Sequence, residues 1–101
     1  MSLRHRQFPD FREADIPACF IEAERAGTIK DCSWGNDAAP SFCSADDERN
    51  CFVFEADPAA RELDCPRFIV QATPGGQFPE EYQELYAGDD PAEALRILLN
   101  Q

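Results

Sequence analysis

The chain has 101 residues, enough for one domain and too few for two. Its 44% hydrophobic content excludes a disordered chain, and no apolar run approaches the ~20 residues of a membrane span. Twenty acidic against nine basic residues give a formal charge of −11, which disfavours binding of nucleic acid or of an anionic membrane by the folded domain.

The chain begins with a basic segment, residues 1–12, ahead of a single domain over residues 13–101. We expect this segment to be an extended arm, pinned by Phe8 and Phe11, that either aids solubility or folds back onto the acidic body. Its basic side chains are Arg4, His5, Arg6 and Arg12.

The first predicted helix covers residues 15–26. Asp15 is in position to cap it, and Pro17 falls in its first turn, where the missing N–H has no cost. Gly27 follows as a natural end, because glycine readily adopts the left-handed conformation that terminates helices.

Short runs of β-branched and aromatic residues between turn formers predict three or four strands. The strands lie near residues 41–44, 51–56, 67–73 and 82–87. Turns are predicted at residues 34–37, 45–50 and 74–76, and a helical turn capped by Asp57 is predicted at residues 57–62. In the second strand, Phe52 and Phe54 share one face while Cys51 and Val53 share the other.

The final predicted helix covers residues 91–100, and its start combines the capping residue Asp90 with Pro91 and Glu93. Its buried stripe is formed by Ala94, Leu95 and Leu98. The element order predicts an α+β fold, a three- to four-stranded antiparallel sheet with the N-terminal and C-terminal helices packed on one face and the other face partly wet.

Residues that carry chemistry are sparse. His5 is the only histidine, so a triad that depends on a histidine base is disfavoured, and no phosphate-binding glycine motif is present. The cysteines are Cys19, Cys32, Cys43, Cys51 and Cys65, without a C-x-x-C pair. We therefore predict no enzymatic activity, no cofactor and no metal site, and a reduced, cytoplasmic protein whose cysteines act as small core residues.

The acidic residues are concentrated in two blocks. Residues 45–64 hold seven acids and two arginines, a charge of −5, and residues 80–93 hold six acids and no base. We predict a partner-binding site made of Asp46, Asp47, Glu48, Glu55, Glu80, Glu81, Glu84, Asp89 and Asp90. This prediction requires the carboxylates to gather on one surface, with Glu55 and Glu84 on the uncovered face of the sheet.

Residues 33–42, with the sequence S-W-G-N-D-A-A-P-S-F, resemble a segment of small uncharacterised phage and plasmid proteins of the form S-W-x-N-D-x-x-P-S-F. In this segment we expect Trp34 and Phe42 to pack, and Asn36 and Asp37 to form a turn. As a class, small acidic proteins of mobile elements resemble anti-CRISPR inhibitors, some of which act as DNA mimics.

This resemblance implies an acidic inhibitor, monomeric or homodimeric, that blocks the nucleic-acid-binding surface of a basic host protein, for example a CRISPR-Cas subunit. The first alternative is an interaction module with an apolar contact surface, whose charge serves only solubility. Its candidate contact residues are Trp34, Phe78, Tyr82 and Tyr86. The second alternative is a small enzyme or a thiol-based sensor, which requires a cysteine with a perturbed pKa.

Overall fold

The computed structural model describes residues 3–73 and 82–101. Five antiparallel strands form one sheet, and each strand pairs with the next along the chain. The strands are β1 (Ile29–Asp31), β2 (Ser41–Ser44), β3 (Arg49–Val53), β4 (Phe68–Ala72) and β5 (Gln83–Gly88). The helices are α1 (Leu3–Gln7), α2 (Ala18–Ala26) and α3 (Pro91–Leu98), with 3-10 turns at Glu13–Asp15 and Pro58–Ala60.

The α+β class and the antiparallel sheet are confirmed, whereas the predicted number of strands is wrong. The additional strand is β1, which has only three residues and contains Lys30 and Asp31, so it lacks the apolar alternation that marks a strand. It forms because its backbone pairs with β2, where Ile29 lies opposite Ser44 and Asp31 opposite Phe42.

The core lies between one face of the sheet and the helices. Phe20 of α2 is fully buried, stacks on Phe68 with ring centroids 5.6 Å apart, and meets Phe42 at the same distance in a tilted arrangement. Ala94 and Leu98 of α3 complete the same cluster, so α2 and α3 cover the same face.

In β3 the core face is the one that carries Cys51 and Val53, which are both fully buried, while Phe52 is partly buried on the opposite face. The cross-strand pairs are consistent with this, because Cys51 lies between Phe42 and Val70. The aromatic volume of the core therefore comes from α2, β2 and β4 rather than from β3.

The predicted capping role of Asp15 is wrong. Asp15 belongs to a 3-10 turn, and α2 begins at Ala18 after Pro17. The physical reason is Pro17 itself, since a residue that precedes proline is driven to extended geometry, and Ile16 has φ −84° and ψ 122°. The predicted end is confirmed, with Gly27 in the left-handed conformation at φ 80°.

The start of α3 is confirmed, because the Asp90 carboxylate accepts hydrogen bonds from the backbone N–H groups of Ala92 and Glu93. This helix ends at Leu98, two residues before the predicted boundary. The predicted break at residues 74–76 lies outside the described residues, as do Phe78, Glu80 and Glu81.

The prediction of an extended N-terminal arm is wrong, because Leu3–Gln7 form the helix α1 and the side chain of Arg4 is only 7% exposed. Arg4 is held by Glu13, Glu24 and Asp31, which come from three later segments. The basic N-terminal segment thus folds back onto the acidic body. Within residues 3–73 and 82–101, no helix has both the length and the hydropathy to cross a bilayer.

Candidate functional site: an acidic groove

Two pairs of the acidic residues predicted from the sequence lie at opposite ends of the sheet. Asp46 and Glu48 belong to the turn between β2 and β3, whereas Asp89 and Asp90 follow β5. At the end of the sheet next to the β2–β3 turn, Arg49 of β3 pairs with Ala72 of β4. At the other end, Phe68 of β4 pairs with Gly88 of β5. The six residues of β5 separate the two ends by about 17 Å at ~3.4 Å per residue. These carboxylates therefore do not share one surface.

Several of these acids have partners within the chain. Asp47 pairs with Lys30 at 2.8 Å. Asp89 accepts hydrogen bonds from the Arg67 backbone N–H at 2.9 Å and from Arg61 at 3.2 Å, and these contacts lower the pKa of its carboxyl. Asp90 is the α3 cap described above.

Asp46 also serves the local structure. Its carboxylate accepts hydrogen bonds from the Ser44 hydroxyl at 2.6 Å and from the Glu48 backbone N–H at 3.0 Å, and these bonds lower the pKa of Asp46. Such a pattern is typical of an Asx turn, which orders the residues between two strands. The carboxylate of Asp46 is therefore part of the β2–β3 hairpin turn.

Glu55 and Glu84 face different surroundings. Glu84 is exposed and lies opposite Gln71, on the sheet face that points away from α2 and α3. Glu55 lies two residues beyond the end of β3, is partly buried, and lines two cavities beside the loop that follows α1. Asp46 and Glu48 line a separate cavity of about 290 Å³ at the β2–β3 turn, together with Arg49, so Glu55 is the member of the predicted set that lies beside the loop after α1.

The two cavities are adjacent and form one groove, because both are lined by Ala38 and Glu55. The first has a volume of about 240 Å³ and the second about 280 Å³. The first cavity is further lined by Gln7, Phe8, Pro9, Asp10, Phe11 and Pro40. The second is further lined by Phe54, Ala60, Arg61, Glu62 and Cys65. We call this continuous surface the groove.

The segment 33–42 supplies the floor of the groove. The Trp34 carbonyl accepts a hydrogen bond from the Asp37 backbone N–H at 2.9 Å, which confirms the predicted turn. The Gly35 N–H donates to the Gln7 side-chain oxygen at 2.8 Å and so joins this turn to α1. A Cβ at Gly35 would lie 2.9 Å from that oxygen, so a larger residue there would displace the Gln7 side chain.

The expectation that Trp34 and Phe42 both pack is confirmed for Phe42 only, since Trp34 is 44% exposed. Phe42 continues from the floor segment into β2 and is fully buried in the core. Burial also raises the pKa of the Asp37 carboxyl. The floor segment is therefore anchored at its C-terminal end, while its turn reaches the surface.

The far wall of the groove is fixed by hydrogen bonds and an ion pair. Asp57 accepts from the Ala59 N–H at 2.9 Å, which confirms the predicted capped turn. Arg61, whose side chain is 4% exposed, binds Asp89 and also donates to the Cys65 carbonyl at 3.2 Å. Because Asp89 compensates the charge of Arg61, Arg61 does not neutralise the carboxylates that line the groove.

The groove combines an apolar floor with acidic walls. Its carboxylates are Asp10, Glu55 and Glu62, and its rings are Phe8, Phe11 and Phe54. An arginine or lysine side chain matches this chemistry, because its aliphatic stem packs on apolar surface while its cationic head pairs with a carboxylate. The arrangement thus favours a basic, partly apolar polypeptide segment.

The only histidine contributes to the fold of the N-terminal region, with His5 Nε2 lying 3.5 Å from the Glu13 carboxylate. Among the side chains that the structure describes, no three of His, Cys, Asp or Glu are placed to hold a metal ion. No protein-family model matches this chain, and no curated protein or solved structure is significantly similar to it.

The sequence did not identify Asp10 or Ala38 as site residues. Asp10 belongs to the predicted arm and Ala38 directly follows a predicted turn, and the groove arises only where these segments meet the chain after β3. The available signal was the Phe8-Pro9-Asp10-Phe11 run, in which an acid stands between apolar residues next to a turn former. Glu55 was predicted as a site residue, but on the uncovered face of the sheet and not in the groove.

Proposed function

We propose that this protein is a non-catalytic, cytoplasmic binding protein whose groove takes a basic segment of another protein. The observation that carries the proposal is the position of Glu55, a partly buried carboxylate shared by the two cavities of the groove. A charge-assisted hydrogen bond to such a carboxylate is stronger than one at a fully exposed acid.

The whole-molecule charge supports the same proposal. At −11 the protein attracts cationic partners over a range of about 8–10 Å at ordinary ionic strength and accelerates their encounter. The groove then supplies the short-range contacts that net charge alone does not provide. Long-range attraction and local fit therefore favour the same kind of partner.

A basic segment that binds nucleic acid is the partner that best fits this chemistry. Once its lysines and arginines lie in the groove, they are unavailable to phosphates, so binding inhibits the partner. This is the action that the class-level resemblance to anti-CRISPR proteins implies, and a CRISPR-Cas subunit is one candidate partner. Inhibition here results from occupying the basic segment, without a continuous mimic of the DNA backbone.

The alternative, an apolar interaction module, is favoured by the side chain of Leu63, which is 94% exposed. Leu63 lies between Glu62 and Asp64 in the same loop that forms the far wall of the groove. In this alternative, binding depends on apolar side chains of the partner and is indifferent to its charge.

The test is a binding titration with a fluorescent peptide that alternates arginine and leucine, measured against the wild type, Glu55→Gln and Glu84→Gln. The two variants lose the same charge, but only Glu55 lines the groove, so we expect Glu55→Gln to weaken binding about tenfold and Glu84→Gln much less. Equal weakening by both variants would contradict the groove and leave only general attraction.

A matched peptide in which glutamine replaces each arginine separates the two candidate functions. We expect it to bind at least about tenfold more weakly than the arginine peptide. Undiminished binding of the glutamine peptide would favour the apolar module. Circular dichroism of the three proteins checks that both variants retain the fold.

A further inference from the structure

Two cysteines lie side by side on the face of the sheet that points away from α2 and α3. Cys43 pairs with Lys30, and the Cys32 N–H donates to the Ser41 carbonyl at 3.0 Å, which continues the β1–β2 ladder by one residue. Because side chains alternate between faces, Cys32 and Cys43 are diagonal neighbours on one face. Their exposed fractions are 9% and 6%.

The two thiols interact directly and unequally. The Cys43 thiol donates a hydrogen bond to the Cys32 sulfur, and this bond lowers the pKa of Cys32 in spite of its burial. The Ser41 hydroxyl, with its oxygen 3.4 Å from the same sulfur, acts in the same direction. The hydrogen bond with Cys32 stabilises the protonated Cys43 thiol and raises the pKa of Cys43, and burial raises it further. Cys32 is therefore the better nucleophile of the pair.

The remaining cysteines have no comparable arrangement. Burial raises the pKa of Cys51, which is fully buried on the opposite face of the sheet. Burial also raises the pKa of Cys19 and of Cys65, which are partly exposed. Cys51 therefore serves as an internal reference for the reactivity of the pair.

We propose that Cys32 and Cys43 form a reversible thiol pair that hydrogen peroxide converts into an intramolecular disulfide. This inference is independent of the groove and of its partner. It assigns a modification site to the point where β1 ends and the segment 33–42 begins.

The reaction takes place in two balanced steps. The Cys32 thiolate attacks one oxygen of the peroxide, the O–O bond breaks, and hydroxide leaves as water after it takes a proton, which leaves a sulfenic acid on Cys32. The Cys43 sulfur then attacks the Cys32 sulfur, the S–O bond breaks, and the departing hydroxide takes the Cys43 proton as a second water. Two thiols lose two electrons and two protons, and one peroxide is reduced.

The geometry also predicts that this disulfide is readily reduced. Diagonal neighbours in a sheet have Cα atoms about 7–8 Å apart, whereas disulfides require about 4.4–6.8 Å. The end of β1 must therefore slide along β2 to shorten the diagonal, which its position at the edge of the sheet and its length of three residues permit. A disulfide that holds such a shift is strained, and strained disulfides have more oxidising potentials.

The experiment uses the full chain with Cys19→Ser and Cys65→Ser, which removes the partly exposed thiols. The protein is treated with hydrogen peroxide, denatured, alkylated and mapped by peptide mass spectrometry. We expect a linked pair of peptides that contain Cys32 and Cys43, an alkylated Cys51, and recovery of both thiols with reduced glutathione. Cys32 and Cys43 left fully alkylated, or a disulfide to Cys51, would overturn the proposal.

Two further variants test the order of the steps. With Cys43→Ser, which keeps a hydrogen-bond donor beside Cys32 but cannot form the disulfide, Cys32 should stop at the sulfenic acid, which dimedone labels. With Cys51→Ala, the Cys32–Cys43 disulfide should form as before, which controls for the loss of a buried thiol. Absence of a dimedone adduct on Cys32 in a folded Cys43→Ser protein, judged by circular dichroism, would also contradict the proposal.

Discussion

Arg4 joins four segments of the chain through a single guanidinium group. It pairs with Glu13 at 2.6 Å and with both Glu24 and Asp31 at 3.0 Å, and it lies 5.4 Å from the centre of the Phe42 ring. These contacts lower the pKa of Glu13, chiefly through its hydrogen bond with Arg4. The guanidinium compensates three acids that would otherwise repel one another beside the core.

We expect Arg4→Ala to lower the free energy of unfolding at pH 7 by roughly 2–4 kcal/mol, because a carboxylate cluster at the edge of the core loses its cation. A carboxyl with a lowered folded-state pKa stabilises the fold above its ordinary pKa of 4.5, and this stabilisation is lost as the pH falls. The difference between wild type and variant should therefore shrink between pH 7 and pH 3.

Urea denaturation at both pH values measures this difference. The matched control is Arg6→Ala, since Arg6 is exposed on the same helix and its loss should change stability by no more than about 0.5 kcal/mol. A difference for Arg4→Ala that is as large at pH 3 as at pH 7 would show that the carboxylates are not its cause.

At the scale of single elements, α3 owes its start to a local cap. The Asp90 carboxylate accepts from the N–H of Ala92 at 3.0 Å, and Pro91 occupies the first helical position, where its missing N–H has no cost. The adjacent Arg49 guanidinium donates to the Ile97 carbonyl at 2.6 Å and so satisfies an acceptor in the last turn. Both ends of α3 are thereby tied to defined partners.

We expect Asp90→Ala to lower the free energy of unfolding by about 1 kcal/mol, whereas Asp90→Asn, which keeps an acceptor oxygen, should cost much less. Thermal melts monitored by circular dichroism distinguish the two variants. Equal losses for alanine and asparagine would mean that the charge of Asp90, rather than its hydrogen bonds, stabilises the helix.

The difference between local contacts and contacts distant in sequence explains which elements could be predicted from the sequence. The caps at Asp57 and Asp90 and the end of α2 at Gly27 are local, so neighbouring residues determine them and the predictions were confirmed. α1 and β1 depend on partners far along the chain: Arg4 reaches Asp31, 27 residues away, and β1 exists only as the neighbour of β2. Local patterns carry no signal for such contacts.

For the whole molecule, the sequence established the sign and size of the charge but not its arrangement. The two acidic blocks suggested one anionic surface, whereas the antiparallel order of the strands places Asp46 and Glu48 of the β2–β3 turn at one end of the sheet and Asp89 and Asp90, which follow β5, at the other. The groove could not be predicted because its walls come from three segments that meet only in the folded protein. Of the predicted acids that the structure describes, Glu55 alone lines it.

The most direct test of the account is an amide chemical-shift titration of the isotope-labelled protein with the arginine–leucine peptide. We predict that the largest shifts fall on residues 7–11, 38–40 and 54–65, which line the groove or lie between its lining residues. Shifts that concentrate instead on the β2–β3 turn, residues 45–48, or that spread evenly over all exposed acids, would contradict the groove as the binding site.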